Sequence, residues 1–385
     1  MINFKGVTIL QILPSLSDGG GVERGTVEIT EALVENSARS LVVSNGGSGE
    51  HKIKRVGGEH FCLPAHSKNP LSIYANIKRI ETIINNENVQ IIHARSRAPA
   101  WSAYYASKRT NIPFVTTFHG TYGIGTELKR RYNSVMSRGE RVIAISQFIA
   151  SHLHQIYGVS NERIRIIPRG VDTTKFNIAN VTAERIGNLY SKWRLEDGCP
   201  VIMLPGRLTR WKGQITLIEA VAKLNLRNIC CLLVGGDQGR LGYRKELEGL
   251  ITQYDLGGIV RIVDHCDDMP AAYMLSDIIV SASTDPEAFG RVMIEAQAMG
   301  KPVIASDHGG AREIILEGKT GWLFPAGHSD ALAEKLNLVL NLPKSLSQSF
   351  RKRAMAHIKN NFSKTSMCDK TLNVYSEVLA DRISD

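Results

Sequence analysis

The stretch Asp285-Pro-Glu-Ala-Phe-Gly-Arg-Val-Met-Ile-Glu-Ala-Gln-Ala-Met-Gly300 decides how this chain is read. Val292 to Met299 is rich in strong helix formers, while Pro286 and Gly290 mark a loop turning into that helix. Upstream, Asp277 to Ser283 reads as a strand, and downstream Pro302 to Ser306 reads as the next. Strand, loop, helix and strand in this order form a βαβ unit, whose two strands are parallel. Open parallel sheets bind ligands beyond the carboxyl ends of their strands, which is where the acidic loop falls. Two glutamates eight positions apart share this place, Glu287 in the loop and Glu295 in the helix. A helix N-terminus offers unpaired backbone N–H groups and a partial positive charge, which suit an anionic or oxygen-rich ligand. The carboxylates can accept hydrogen bonds from sugar or ribose hydroxyls. Without that context, Glu-x7-Glu more often reads as two solvated surface acids.

Outward from this unit, short apolar runs alternate with amphipathic stretches along the chain, the pattern of doubly wound parallel sheets. In the first half the runs are Val7 to Leu13, Ser40 to Ser44, Gln90 to His93, Phe114 to Phe118, Arg141 to Ile145 and Ile164 to Pro168. In the second they are Val201 to Leu204, Ile229 to Val234, Val260 to Val263, Ile278 to Ser281 and Pro302 to Ala305. A chain of 385 residues, 43% hydrophobic and 22% charged, can fill two cores, so an α/β architecture of two Rossmann-like domains is expected. The expected boundaries are 1–175 for the first domain, 176–200 for a polar linker with one helix (Val181 to Lys192), and 201–363 for the second. A basic helical stretch, Phe350 to Asn360, precedes a last helix, 364–385.

Composition removes several function classes. No run of about 18 or more apolar residues occurs, and Met-Ile-Asn-Phe-Lys-Gly leads into a strand without a signal-peptide pattern. A soluble, cytoplasmic protein is therefore expected. The six cysteines, at 62, 199, 230, 231, 266 and 368, include no Cys-x2-Cys pair, and the eleven histidines form no His-Glu-x-x-His. The nearest approach to a metal cluster is Asp264-His-Cys-Asp-Asp268, but five adjacent residues cannot easily all face one ion. No metal and no cofactor are expected. The net charge of +10 is concentrated: residues 1–176 carry 22 Lys+Arg against 13 Asp+Glu, and residues 177–385 carry 25 against 24. A basic half favours a phosphate-bearing partner or contact with an anionic membrane surface, and no nucleic-acid-binding signature accompanies it.

Three further segments follow strands. Gly206-Arg-Leu-Thr-Arg-Trp-Lys-Gly213 places Arg207 and Lys212 at the mouth of the second sheet, where two cations can straddle a diphosphate and stabilise it as it leaves. Ser15-Leu-Ser-Asp-Gly-Gly-Gly-Val-Glu-Arg24 follows the first strand, but Arg24 stands where a dinucleotide fingerprint needs its third glycine. His119 ends the strand Phe114 to Phe118 and precedes Gly120-Thr-Tyr-Gly123. Basic groups at Arg95 and Arg97, and at Lys129-Arg-Arg131, can receive an anion or can be solvated faces.

With these motifs the chain resembles the retaining glycosyltransferases of family 4, most nearly the lipopolysaccharide-core type of bacteria, from the first glycine loop to Thr320-Gly-Trp322. The resemblance implies the GT-B architecture, two Rossmann-like domains facing across a cleft, with the last helix crossing back to the first. It implies a nucleotide-diphosphate-sugar donor as co-substrate and an anionic glycan or lipid-linked acceptor. Arg207 and Lys212 then hold the diphosphate, Glu287 the sugar hydroxyls, Glu295 the ribose, and His119 the sugar; Phe289, Gly290, Arg291 and Gly309 complete the donor set. Gly20, Gly21, Arg95 and Arg97 fall on the acceptor side. No side chain stands out as a covalent nucleophile, which favours front-face substitution. The competing readings are a sugar-nucleotide epimerase of the same fold and a non-catalytic nucleotide-sugar-binding protein.

Overall fold

A computed structural model describes residues 4–17, 20–123 and 125–384. The chain divides into two compact units, one made of residues 1–169 with 364–385 and the other of residues 170–363.

The first unit is built on a seven-stranded sheet. Its strands are β1 (Thr8–Ile12), β2 (Arg39–Ser44), β3 (Glu59–Cys62), β4 (Ile91–Ala94), β5 (Phe114–Phe118), β6 (Arg141–Ala144) and β7 (Ile164–Ile166). They pair in parallel in the order β3-β2-β1-β4-β5-β6-β7. Each crossover that returns a parallel strand needs a helix to cover the sheet, so both faces are buried and the central strands read as continuous apolar runs. Ile9, Leu10 and Ile12 of β1 are all fully buried. Each such side chain contributes roughly 1.5–3 kcal/mol on leaving water. Strand β3 was not expected: Glu59-His-Phe-Cys62 is only half covered at the sheet edge, so it lacks an apolar signature and is held by its pairing to β2.

The last helix, Lys364–Ser384, belongs to this first unit. Met367, Cys368, Leu372, Tyr375 and Val378 pack into one core with Ile29 and Leu33 of the helix Gly21–Glu35 and with Ile9, Ile91, Val115 and Ile143 of the sheet.

The second unit carries β8 (Val201–Pro205), β9 (Cys230–Val234), β10 (Val260–Val263), β11 (Ile278–Ser281), β12 (Val303–Ser306) and β13 (Trp322–Phe324), all parallel, in the order β10-β9-β8-β11-β12-β13. Strand β13 also escaped the sequence pattern, because three residues are too few to show a period. Residues 176–200, expected as a linker, lie inside this unit. The helix Ala183–Lys192 is capped by the Thr182 side chain on Arg185 N, and Arg185 forks onto both oxygens of Asp268 at 2.7 and 2.5 Å. Trp193 and Leu195 behind it are buried. The polar composition reflects one wet helix face; two apolar anchors fix the other end.

Both sheets reverse direction at their first strand. In the first, the chain winds outward from β1 to β3 and restarts at β4; in the second, it winds from β8 to β10 and restarts at β11. Loops leaving β1 and β4, or β8 and β11, diverge to opposite faces and open a crevice at the carboxyl ends.

Candidate functional site

In the second unit the crevice is formed by the loops after β8, β11 and β12. The loop after β8 makes a short turn at Arg210–Lys212 and enters the helix Gln214–Leu224 through Gly213, whose φ is +72°. A Cβ on Gly213 would lie 1.8 Å from the Ala282 carbonyl oxygen, so only glycine lets this loop close on the end of β11. Thr284 N donates to Trp211 O at 2.8 Å and ties the two loops further. Their joining brings Lys212 Nζ onto Glu287 Oε1 in an ion pair. The pair is partly shielded, with side chains 16% and 14% exposed, and Ser283 Oγ donates to the same carboxylate oxygen at 2.8 Å. Lys212 Nζ also lies 4.2 Å from the centre of the Trp211 ring.

The loop after β12 closes from the other side. Gly310 N donates to Glu287 O at 2.8 Å, and a Cβ on Gly309 would stand 2.3 Å from that oxygen. Glu287 is thus gripped through backbone and side chain by three loops. Gly290, at φ +103°, starts the helix Arg291–Ala298, and Phe289 before it is buried against Phe362. Glu295 is buried one turn on, accepting from Tyr273 OH at 3.2 Å, with Arg291 Nε at 3.6 Å from its other oxygen. Arg207 is exposed, and its carbonyl is fixed by Gln214 Nε2 at 2.9 Å; Tyr243 OH in turn holds Gln214 at 3.1 Å. The structure therefore joins Lys212, Glu287 and Gly309 directly, and pairs Arg291 with Glu295. Ser283, Tyr273 and Gln214 were invisible in the sequence, since a lone hydroxyl or amide carries no pattern.

The Asp264 to Asp268 segment disperses. Asp264 pairs with Arg244, His265 with Asp267 on the surface, and Asp268 with Arg185. Among the described residues no group of three or more His, Cys, Asp or Glu is arranged to hold a metal ion.

The first unit presents a different surface at its own switch point. Asp18 and Gly19 of the glycine loop lie outside the described residues; Gly20 caps the helix Gly21–Glu35, accepting from Arg24 N. Arg95 after β4 is buried, donating to Gln11 Oε1 at 3.1 Å. Arg97 is half-buried, donates to Asn133 Oδ1 at 2.9 Å and stacks 4.0 Å from the centre of the Tyr122 ring. Lys129, Arg130 and Arg131 are exposed on the helix Glu127–Asn133.

His119 follows β5, and its Nδ1 lies 2.8 Å from Arg169 Nη2, which also donates to Gly21 O at 3.2 Å. His93 in β4 is fully buried between Tyr375 OH and Thr117 Oγ1, both at 2.7 Å. Burial, then the nearby Arg169 and Arg95, hold the His119 imidazole well below the usual histidine range; burial and the same cations do so for His93. Arg169 meets His119, a contact that the sequence reading passed over, because Arg169 stands just after the strand Ile164 to Pro168 and opens a polar stretch.

Similar proteins fit this geometry. Residues 19–175 match the family model described as Glycosyltransferase Family 4, and residues 188–357 match that described as Glycosyl transferases group 1. A glycosyltransferase from Rickettsia africae is 39% identical, with a TM-score of 0.90, covering 97% of this chain and 98% of that one. A D-inositol 3-phosphate glycosyltransferase of Xylanimonas cellulosilytica is 26% identical, with 85% of each chain covered. Anabaena Alr3699/HepE, solved in complex with UDP-glucose, shares the fold at a TM-score of 0.83 and 24% identity, over 96% of this chain and 99% of its own. Two parallel-sheet units with matches to both halves of the family over nearly the full length place the chain in the glycosyltransferases of family 4, with the GT-B fold.

Proposed function

We propose that this glycosyltransferase is a retaining hexosyltransferase that takes its sugar from a nucleotide diphosphate held by the second unit. The observation that carries the reading is the Lys212–Glu287 ion pair, fixed at the switch point by the loops after β8, β11 and β12. A carboxylate partner keeps the Lys212 ammonium aimed, and a diphosphate arriving there competes for a cation that is already in place. Arg207, exposed on the same loop, supplies a second positive charge. Glu287 accepts from the sugar hydroxyls and Glu295, behind the first turn of its helix, from the ribose. His119 donates to the transferred sugar. As the bond from the sugar to the diphosphate breaks, with the leaving charge stabilised by the two cations, an acceptor hydroxyl bonds to the sugar on the same face and its proton passes to the leaving phosphate oxygen.

The acceptor in this proposal is an anionic or lipid-linked glycan of the cell envelope, such as a lipopolysaccharide core. It is supported by the charge excess of residues 1–176 and by the exposed Lys129, Arg130 and Arg131. The phosphate-bearing polyol in the name of the Xylanimonas relative is consistent with an anionic acceptor. Among the described residues no helix is long and apolar enough to cross a membrane. The exposed apolar side chains Leu71, Tyr74, Tyr105 and Leu128 lie on the basic first unit and are suited to peripheral contact with anionic lipid.

The test measures sugar transfer and donor hydrolysis by Lys212→Ala and Glu295→Ala proteins over a panel of nucleotide sugars. Both are expected to lose most activity; rates near wild type in both would overturn the assignment. Conversion of the donor to another nucleotide sugar, with no acceptor present, would favour an epimerase instead.

A further inference from the structure

The two ring nitrogens of His119 are in different circumstances. Nδ1 meets Arg169 Nη2 at 2.8 Å, while Nε2 is buried with no hydrogen-bond partner among the described residues. A guanidinium has five N–H donors, no lone pair to offer, and stays protonated in proteins. Nδ1 must therefore accept. A neutral imidazole has one proton, so that proton sits on Nε2.

Arg169 is itself held rigidly. It is buried, and its Nη2 also donates to Gly21 O at 3.2 Å. A Cβ on Gly25 would lie 2.5 Å from Arg169 Nη1 and 2.9 Å from Arg95 Nη2, so a glycine at this point of the first helix gives both guanidiniums room. Arg95 is anchored in turn by Gln11. Two fixed positive groups beside a desolvated imidazole oppose a second proton on the ring.

We propose that Arg169 is a positioning residue that locks His119 in its neutral Nε2–H tautomer, which makes His119 a hydrogen-bond donor to an oxygen of the bound sugar. This deepens the proposed donor-sugar role of His119 and rests on it. With Nδ1 occupied and Nε2 carrying the proton, the ring has no lone pair facing the substrate, so it orients an oxygen and takes no proton from it. A basic side chain at this position thereby acts through an uncharged one.

The experiment is nitrogen-15 NMR of protein labelled at histidine, with His119 assigned by comparison with His119→Gln. In the wild-type protein Nδ1 should appear unprotonated and Nε2 protonated, with the ring unchanged between about pH 5 and 8, where a free histidine titrates. In Arg169→Met the tautomers should mix and the ring should begin to titrate in that range. Its kcat should fall roughly tenfold or more while donor KM changes little, as expected when orientation and not affinity is lost. Arg169→Lys, which keeps a cationic donor, should recover part of the tautomer preference and part of kcat. A protonated Nδ1 in the wild type, or an unaltered His119 spectrum in Arg169→Met, would overturn the proposal. If Arg169→Met does not fold, the wild-type spectrum and Arg169→Lys decide. The spectrum is read without substrate, so it stands apart from the donor assignment: normal transfer by Lys212→Ala would remove the donor reading and leave the tautomer in place.

Discussion

The two switch points of this chain have the same topology and opposite electrostatics. In the second unit, the loops after β8 and β11 meet in a lysine–glutamate pair, with Arg207 exposed on the first of them. In the first, the groups within and after β4 and after β5 and β7 are two buried guanidiniums and two imidazoles kept neutral. A parallel sheet thus fixes where a ligand is met, because the strand ends and diverging loops are properties of the winding. What is met there depends on side chains. A partly shielded pair of opposite charges can still exchange partners with a charged ligand, whereas cations walled in by backbone and amide groups act mainly by setting the state of their neighbours.

The strongest way to break this contrast is Lys212→Ala. If Lys212 meets a leaving diphosphate, as proposed, removing this preorganised cation should cost about 3 kcal/mol in kcat/KM, on the order of a hundredfold or more. Fold stability should fall as well, since the pair is mostly buried and the Glu287 carboxylate keeps only the Ser283 hydroxyl on that oxygen. Steady-state kinetics beside a urea melt separates the two effects. A large stability loss with modest kinetics would make the pair a structural tie like those of the first unit.

Next in size is Gly213→Ala. The new Cβ would enter the Ala282 carbonyl at a residue with φ +72°, so the loop after β8 would have to withdraw from β11. A loss of about 1–3 kcal/mol is expected from the strained backbone, together with loss of donor binding as Lys212 leaves Glu287. Chemical denaturation and a nucleotide-sugar titration check both. Unchanged binding would mean that the contact between loops does not deliver Lys212.

Much of this was legible in the sequence, and the reason differs between the regions. Glu287, Glu295, Arg207 and Lys212 were readable because each stands in or just beyond a glycine-punctuated loop after an apolar strand, a placement that scattered surface charges rarely share. The loop glycines carried the geometry too: Gly213 and Gly309 stand where any side chain would strike a carbonyl. What stayed hidden was set by pairing between distant segments. Strand β3 exists through β2, β13 through β12, and residues 183–195 through Asp268 and the core of the second unit. Arg95 looked like a surface cation and is buried, because Gln11 on the neighbouring strand supplies an acceptor 84 positions away. Arg169 gave no sign of its contact with His119, 50 positions earlier.

The smallest effect tests the first region by pH. His93 and His119 are neutral in the folded protein, their affinity for protons pushed down by burial and then by Arg95 and Arg169. The unfolded chain takes up a proton at each near the ordinary histidine pKa of about 6.5. Below that pH the unfolded state binds more protons than the folded state, so stability is fully present above about pH 6.5 and falls as the solution is acidified. Each such group steepens the fall by at most about 1.4 kcal/mol per pH unit until its own folded pKa is reached. His60, His152 and His357 are shifted in the same direction, so the wild-type slope is a sum and the variants isolate single contributions. Denaturant melts of His93→Gln between about pH 7 and 5 should show a shallower loss than wild type, although the variant starts lower because Tyr375 and Thr117 lose a partner. A parallel slope in His93→Gln would show that burial and the two guanidiniums do not hold His93 neutral, and of the imidazoles His119 alone would then distinguish the two crevices.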